Sequence, residues 1–211
     1  MTDLEETYPG PFVVDDTTVP DAKGITKALA ARALAEPGFE YDKASNFWRN
    51  AATRGLLHPY RRQVAAARPH FLYRFDQVFV AAVLHRMSEA GFTGDEVFAQ
   101  AALALNSFQI LDLMSQADLD AGKPVPKANV RNPASWVCAN FMDGLRGFDF
   151  EFCTFRHKVT GQAWHAGRVH HQDTATGTDW HLGSEWTRRS IWALELDPIL
   201  VHLTRDLPKG N

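Results

Sequence analysis

Apolar residues at Ile25, Leu29 and Ala33 recur every fourth position, with Lys27 and Arg32 elsewhere on the cylinder, which predicts a short amphipathic helix over residues 25 to 35. Pro37-Gly38 stops it. A second helix is predicted from Lys43 to Arg54, where Ala44, Phe47, Trp48 and Ala51 stand at i, i+3, i+4 and i+7; Asp42 is placed to cap it and Gly55 to end it. Residues 56 to 74 hold two short apolar or aromatic stretches around Arg61, Arg62 and Arg68, with Pro59 and Pro69 limiting helix, and predict a β-hairpin with a basic tip. Helical spacing resumes at Phe75, Phe79, Ala82, Val83 and Met87 and stops near Gly91. Thr93 and Glu96 have the spacing of a capping box, so a long helix is expected to start there and run to about Ala117.

Beyond Asp120 to Pro133, a stretch with three prolines, a glycine and two lysines, the period changes from 3.6 towards 2. Phe148, Phe150 and Phe152 alternate with Asp149 and Glu151; Thr160-Gly161 reads as a turn and Ala163 to His171 as a return strand. Ile191 to Leu196 reads as a buried strand, and Asp197-Pro198 as the cap and first position of a closing helix. The fold class expected is α+β. It divides into an arm at 1–21, a mostly helical domain with a hairpin at 22–118, a linker at 119–133 and a small domain with antiparallel strands at 134–211.

Composition alters this picture in two ways. The 211 residues, 45% hydrophobic and 22% charged, suit a folded chain rather than a disordered one. No run of about 18 apolar residues occurs, and the opening MTDLEETYPG lacks the basic-then-apolar order of a secretory signal, so a cytoplasmic protein with no membrane contact and two reduced thiols, Cys138 and Cys153, is expected. The net charge of -3, which by itself disfavours an acidic partner, is strongly segregated. Residues 1–21 carry six acids and no Lys or Arg, residues 22–86 carry eleven basic residues against four acids, and residues 87–211 carry eleven against fifteen. The basic block coincides with the helix, helix, hairpin segment.

On that block, Ser45, Asn46, Arg49 and Asn50 lie opposite the apolar stripe of the second predicted helix. They are short or fork-shaped polar groups suited to phosphates and base edges. Arg54, Arg61, Arg62, Arg68 and Arg74 extend a surface for phosphates, and Tyr73 offers a hydroxyl. The order helix, turn, helix, basic hairpin, helix is that of a winged helix-turn-helix unit. The run GLLHPYRR followed by LYRFDQVFVAAVLHRMSEAGFTGDEV resembles the MerR-type pattern over roughly residues 25 to 105. The resemblance implies a recognition helix at 43–54 and a wing at 56–74 whose Arg61, Arg62, Tyr73 and Arg74 contact the backbone. The chain departs from that family in having Asn46-Phe47-Trp48-Arg49 where an Arg-Tyr-Tyr cluster is usual, in the lengthened first turn at Glu36 to Tyr41, and in the β-containing segment that follows the long helix.

The expectation is a non-enzymatic, sequence-specific transcriptional regulator without a cofactor, acting as a homodimer on double-stranded DNA. Lys43, Ser45, Asn46, Arg49 and Asn50 would address the major groove, and Arg54, Arg61, Arg62, Arg68, Tyr73 and Arg74 the phosphates or the adjacent minor groove. An architectural or excisionase-like DNA-bending factor fits the same residues. A reading from another class centres on the C-terminal segment, as a protein-interaction module or a small zinc protein. His157, His165, His170, His171 and His181 fall close together with Cys153, yet no paired-ligand spacing is present, and on a strand His170 and His171 point to opposite faces. Five of the six tryptophans follow residue 135, and serve a core, an interface or a pocket. Phe47, Trp48, Phe75 and Phe79, at helical spacing, read as core. The acidic arm carries a further expectation, that it folds over the basic face and competes with DNA.

Overall fold

The computed structural model describes residues 6–7, 24–63, 70–107, 109–110, 130–172 and 183–206. Mixed helix and sheet make up the fold, as an α+β chain requires: six helices among the described residues, with an antiparallel three-stranded sheet in the C-terminal half. None of the described helices is long and apolar enough to cross a membrane.

Helix α1 (Lys27–Leu34) starts where the Thr26 hydroxyl accepts the Leu29 N–H at 3.4 Å, and it buries Ala30, Ala31, Ala33 and Leu34. Its mostly small side chains let it lie close to α2 (Tyr41–Thr53), across a turn closed by reciprocal backbone bonds between Glu36 and Phe39. Asp42, predicted to cap α2, instead lies inside its first turn, where its charge complements the helix dipole; Glu40 occupies the cap position without a side-chain bond. The end of α2 agrees with expectation, because Gly55 follows the cap residue Arg54 with φ 71°, a conformation glycine adopts without strain.

The hairpin is present as β2 (Arg61–Gln63) and β3 (His70–Leu72), antiparallel with Arg61 opposite Leu72. Its tip, including Arg68, lies outside the described residues. A third strand, β1 (Glu6–Thr7), comes from the acidic arm and pairs antiparallel with Arg61–Arg62.

Helix α3 (Phe75–Glu89) is buried almost all round, with every residue from Phe75 to Leu84 covered. It is the axis of the molecule, touched by α1, α2, α4 and two C-terminal helices. Helix α4 (Asp95–Asn106) corrects the capping-box expectation. Gly94, at φ 95°, occupies the cap position, so Thr93 lies one residue too early to serve the first turn, and no side-chain cap forms. The helix also ends at Asn106 rather than near Ala117: Ser107 is extended, and strand β4 (Gln109–Ile110) pairs with β5 (Val130–Arg131).

Residues 133–142, which no periodic pattern flagged, form helix α5 (Pro133–Met142). Asn132 caps it by accepting the Ser135 N–H at 3.1 Å, and Pro133 supplies a first turn that needs no N–H donor. The C-terminal sheet has the order β7-β6-β8, from β6 (Phe148–His157), β7 (Ala163–His171) and β8 (Trp186–Glu195). Phe148, Phe150 and Phe152 of the central strand face the helices, as their alternation predicts. The stretch from Ile191, expected to be a buried strand, belongs to an edge strand largely open to solvent: Ile191 is 50% exposed, and burial resumes at Leu196. Helix α6 (Asp197–Asp206) closes the chain where Asp197-Pro198 predicts it, and the Asp197 carboxylate accepts the Gly147 N–H at 2.8 Å, tying this helix to the start of β6.

The apolar core is continuous from Ile25 to Leu203, so residues before and after the 119–133 segment share one interior. One close seam within it is between α4 and β7. A Cβ at Gly167 would stand 2.8 Å from the Phe150 ring and 2.9 Å from Ala104. Gly167→Ala should therefore cost about 1–3 kcal/mol through overpacking, read as a fall of several degrees in Tm by calorimetry; an unchanged Tm would mean that the sheet and α4 are not in this contact.

Candidate nucleic-acid interface

Helix α2 packs through Ala44, Trp48 and Ala51, and Trp48, 1% exposed, is its anchor. The 3.6-residue period then leaves Lys43, Asn46, Arg49 and Asn50 exposed and Ser45 half-buried. Arg49 donates to the Asn46 side-chain oxygen at 3.0 Å, one turn back, which orients the guanidinium fork along the helix and leaves its other N–H groups for a ligand. Lys43 is drawn to its own N-terminus, 3.1 Å from the Glu40 carboxylate and donating to the Gly38 carbonyl at 3.1 Å.

The remaining predicted cations are distributed over three elements. Arg62 of β2 lies over the Phe71 ring, its guanidinium carbon 5.9 Å from the centroid, and Arg74, at the cap of α3, is 5.8 Å from that of Tyr60. Arg61 is on β2 opposite Thr7. Arg54 turns towards α4, 2.7 Å from Asp95 and over the Phe98 ring, so this cation is engaged within the fold. Tyr73 is a correction: its ring is 5% exposed, packed edge-on against Trp48 at 5.0 Å, and its backbone bridges Ile25, so it builds the core beneath the surface rather than the surface itself. Phe75 and Phe79 are buried, and Phe47 is partly buried against the same core.

The C-terminal histidines do not converge among the described residues. His165 is stacked on Phe152 with its Nδ1 3.1 Å from the Thr154 hydroxyl, and His171 has its Nε2 2.6 Å from the Arg146 carbonyl; both belong to the helix-facing side of the sheet. On the opposite side His170 is 3.3 Å from Glu151, and His157 accepts the Val159 and Thr160 N–H groups to hold a turn. Cys153 is buried, and desolvation raises its thiol pKa, which leaves it poorly nucleophilic. His181 lies outside the described residues.

What the sequence did not disclose is a polar chain through the core. The Gln77 side chain accepts the His58 N–H at 2.8 Å and donates to Asn106 at 2.8 Å; Asn132 donates to the Asn106 carbonyl at 3.0 Å; Ser135, one turn into α5, donates its hydroxyl to Asp76. Asp76 is 2% exposed, and its second carboxylate oxygen has no hydrogen-bond partner among the described residues. Burial pushes its pKa upward, opposed by the Ser135 hydroxyl and the Arg74 charge. Polar residues inside a buried helix leave no periodic mark, and Asn132-Pro133, a cap followed by a helix-starting proline, was the only local signal.

Comparison of the chain with protein-family models, with curated proteins and with solved structures finds no match.

The raised Asp76 pKa has a definite sign for stability. Between the ordinary carboxylate range and the raised value, the folded protein keeps a proton that the unfolded chain releases. This contribution is complete below the ordinary range and is lost as pH rises through the raised value. Asp76→Asn should remove that loss, so urea melts should show the variant gaining stability relative to the parent as pH rises above the ordinary carboxylate range. A difference constant with pH would mean that Asp76 titrates normally.

Proposed function

We propose that the protein is a DNA-binding transcriptional regulator that lays α2 in the major groove and the β2–β3 hairpin along the flanking backbone. The observation that carries this reading is the division of α2 into a buried Ala44, Trp48 and Ala51 stripe and an exposed Lys43, Asn46, Arg49 and Asn50 face. Arg49 and Asn50 suit bidentate contacts to guanine and adenine edges, and Arg62 with Arg74 suits phosphates. Arg61 and Arg68 belong to the same hairpin by sequence, while Arg54 trades its Asp95 partner for a phosphate if it takes part. The likeness of GLLHPYRR and LYRFDQVFV to the MerR-type pattern supports a winged unit, and a homodimer on a two-fold site supplies the contact number that a single small unit lacks.

The pairing of Glu6–Thr7 with Arg61–Arg62 supports an added role for the arm. A strand from a segment with six acids beside the hairpin's arginines competes with phosphates for the same cations.

Two experiments test this reading. Arg49→Ala should lower affinity for the best site selected from a random duplex library by about 1–3 kcal/mol and relax preference at one base position, whereas Arg62→Ala should weaken all sequences alike and lower the salt slope by about 1. Failure to select any duplex, or an unchanged affinity in Arg49→Ala, would overturn the α2 assignment. Deleting residues 1–21 should tighten non-specific binding at low salt and less so at high salt; equal binding by both forms would remove the arm from the account.

A further inference from the structure

We propose that the cleft between the end of α1, the C-terminal part of α3 and α6 binds one divalent transition-metal ion, with zinc the best match to its ligands. Glu36, His85 and Glu89 each bring a ligand atom to within 4.8 Å of the others. His85 and Glu89 stand at i and i+4 on α3, the spacing that aims two side chains at one point above a helix. The His85 imidazole is clamped by Phe39, stacked at 3.5 Å between centroids, and by the edge of Phe47 at 5.5 Å, so its orientation is set by the turn after α1 and by α2.

An orphaned nitrogen within the group points to a ligand, and a second one lines the cleft nearby. His85 Nε2 is buried without a hydrogen bond, its nearest acidic neighbour being Glu89 at 3.7 Å. His202 of α6, lining the same cleft, has an equally buried Nε2 with no partner among the described residues. Buried polar groups are nearly always satisfied, and a buried imidazole nitrogen beside two carboxylates is better explained by a ligand than by chance. The charge balance agrees. Arg86 bridges one oxygen of Glu36 and one of Glu89, both at 2.7 Å, which sets one positive charge against two negative ones and leaves each carboxylate a second oxygen. A net negative site with one imidazole and two carboxylate oxygens is a mixed N/O set that zinc takes with a fourth position left open to water. Binding uses the Nε2 lone pair of His85, whose proton then sits on Nδ1. The metal would pin α3 to the turn after α1, independently of what α2 contacts.

The test is calorimetric titration of Zn2+ into the full chain after chelator treatment, with Co2+ absorption to report coordination number. The expected result is one equivalent per chain, a tetrahedral Co2+ spectrum and a higher Tm with zinc present. His85→Ala should lose more than about 100-fold in zinc affinity, exceeding the loss usual for groups outside the coordination sphere. Because His85 also packs between rings, Glu89→Gln, at a half-exposed position, serves as the fold-neutral variant and should weaken zinc by at least about 10-fold. Absence of stoichiometric zinc, full affinity in Glu89→Gln, or loss of zinc only when His157 and His170 are replaced would overturn the site.

Discussion

Helix α3 imposes the constraint on which the rest depends, because a helix covered on all sides must satisfy its polar groups without water. Asp76 and Gln77 sit in its first turn, where a buried amide or carboxyl left unpaired costs about 1–3 kcal/mol or more. Their partners come from every direction: the backbone before the hairpin at His58, the end of α4 at Asn106, and the cap and first turn of α5 at Asn132 and Ser135. Each link fixes where a different element must start or stop. Asn106 is the last residue of α4 and Asn132 the cap of α5, so the Asn132 to Asn106 bond joins the two ends of the intervening segment. Helices α3, α4 and α5 therefore share a polar joint as well as an apolar core.

From that joint the display of α2 follows. Helices α1 and α2 pack on the outside of the central helix through small residues, Leu34 and the large ring of Trp48, against which Tyr73 is laid from the end of the hairpin. Ala44, Ala51 and the alanines of α1 permit close approach, and close approach needs only one narrow stripe of each helix. The remainder of α2 is free to be polar. The same packing fixes the hairpin, since the Ile25 and Tyr73 backbones are bonded to each other in both directions at 2.8 and 3.0 Å. The face we assign to DNA is thus a by-product of how little of α2 the core requires.

Periodicity was a good guide wherever one face of an element meets the core and the other meets water. The stripe of α2, the alternation of Phe148, Phe150 and Phe152, and the Pro and Gly punctuation of the hairpin and turns were legible for that reason. Helix α5 was not, because Ala134, Ser135, Trp136, Val137, Cys138 and Ala139 are all buried and present no polar stripe. Thr93 and Glu96 had the letters of a capping box, but the pattern works only when the hydroxyl residue itself has the non-helical conformation next to the first turn, a place taken by Gly94. Ile191 misled in the opposite sense, since β-branched and aromatic residues suit an edge strand as well as a central one. For the candidate interface, residue type matched the exposed α2 face, whereas it could not separate Tyr73 and Arg54, engaged within the fold, from Lys43 and Arg49 on that face. The cleft holding Glu36, His85 and His202 draws on α1, α3 and α6, a combination that spacing along the chain does not encode.

Backbone amide hydrogen exchange of the full chain, with and without a random-sequence DNA duplex at low salt, separates a DNA-facing α2 from a merely solvated one. Added protection is expected at the exposed turns of α2 between Lys43 and Asn50 and along the β2–β3 hairpin, with the C-terminal sheet unchanged. Protection confined to the sheet, or none at saturating duplex, would contradict a DNA-facing α2.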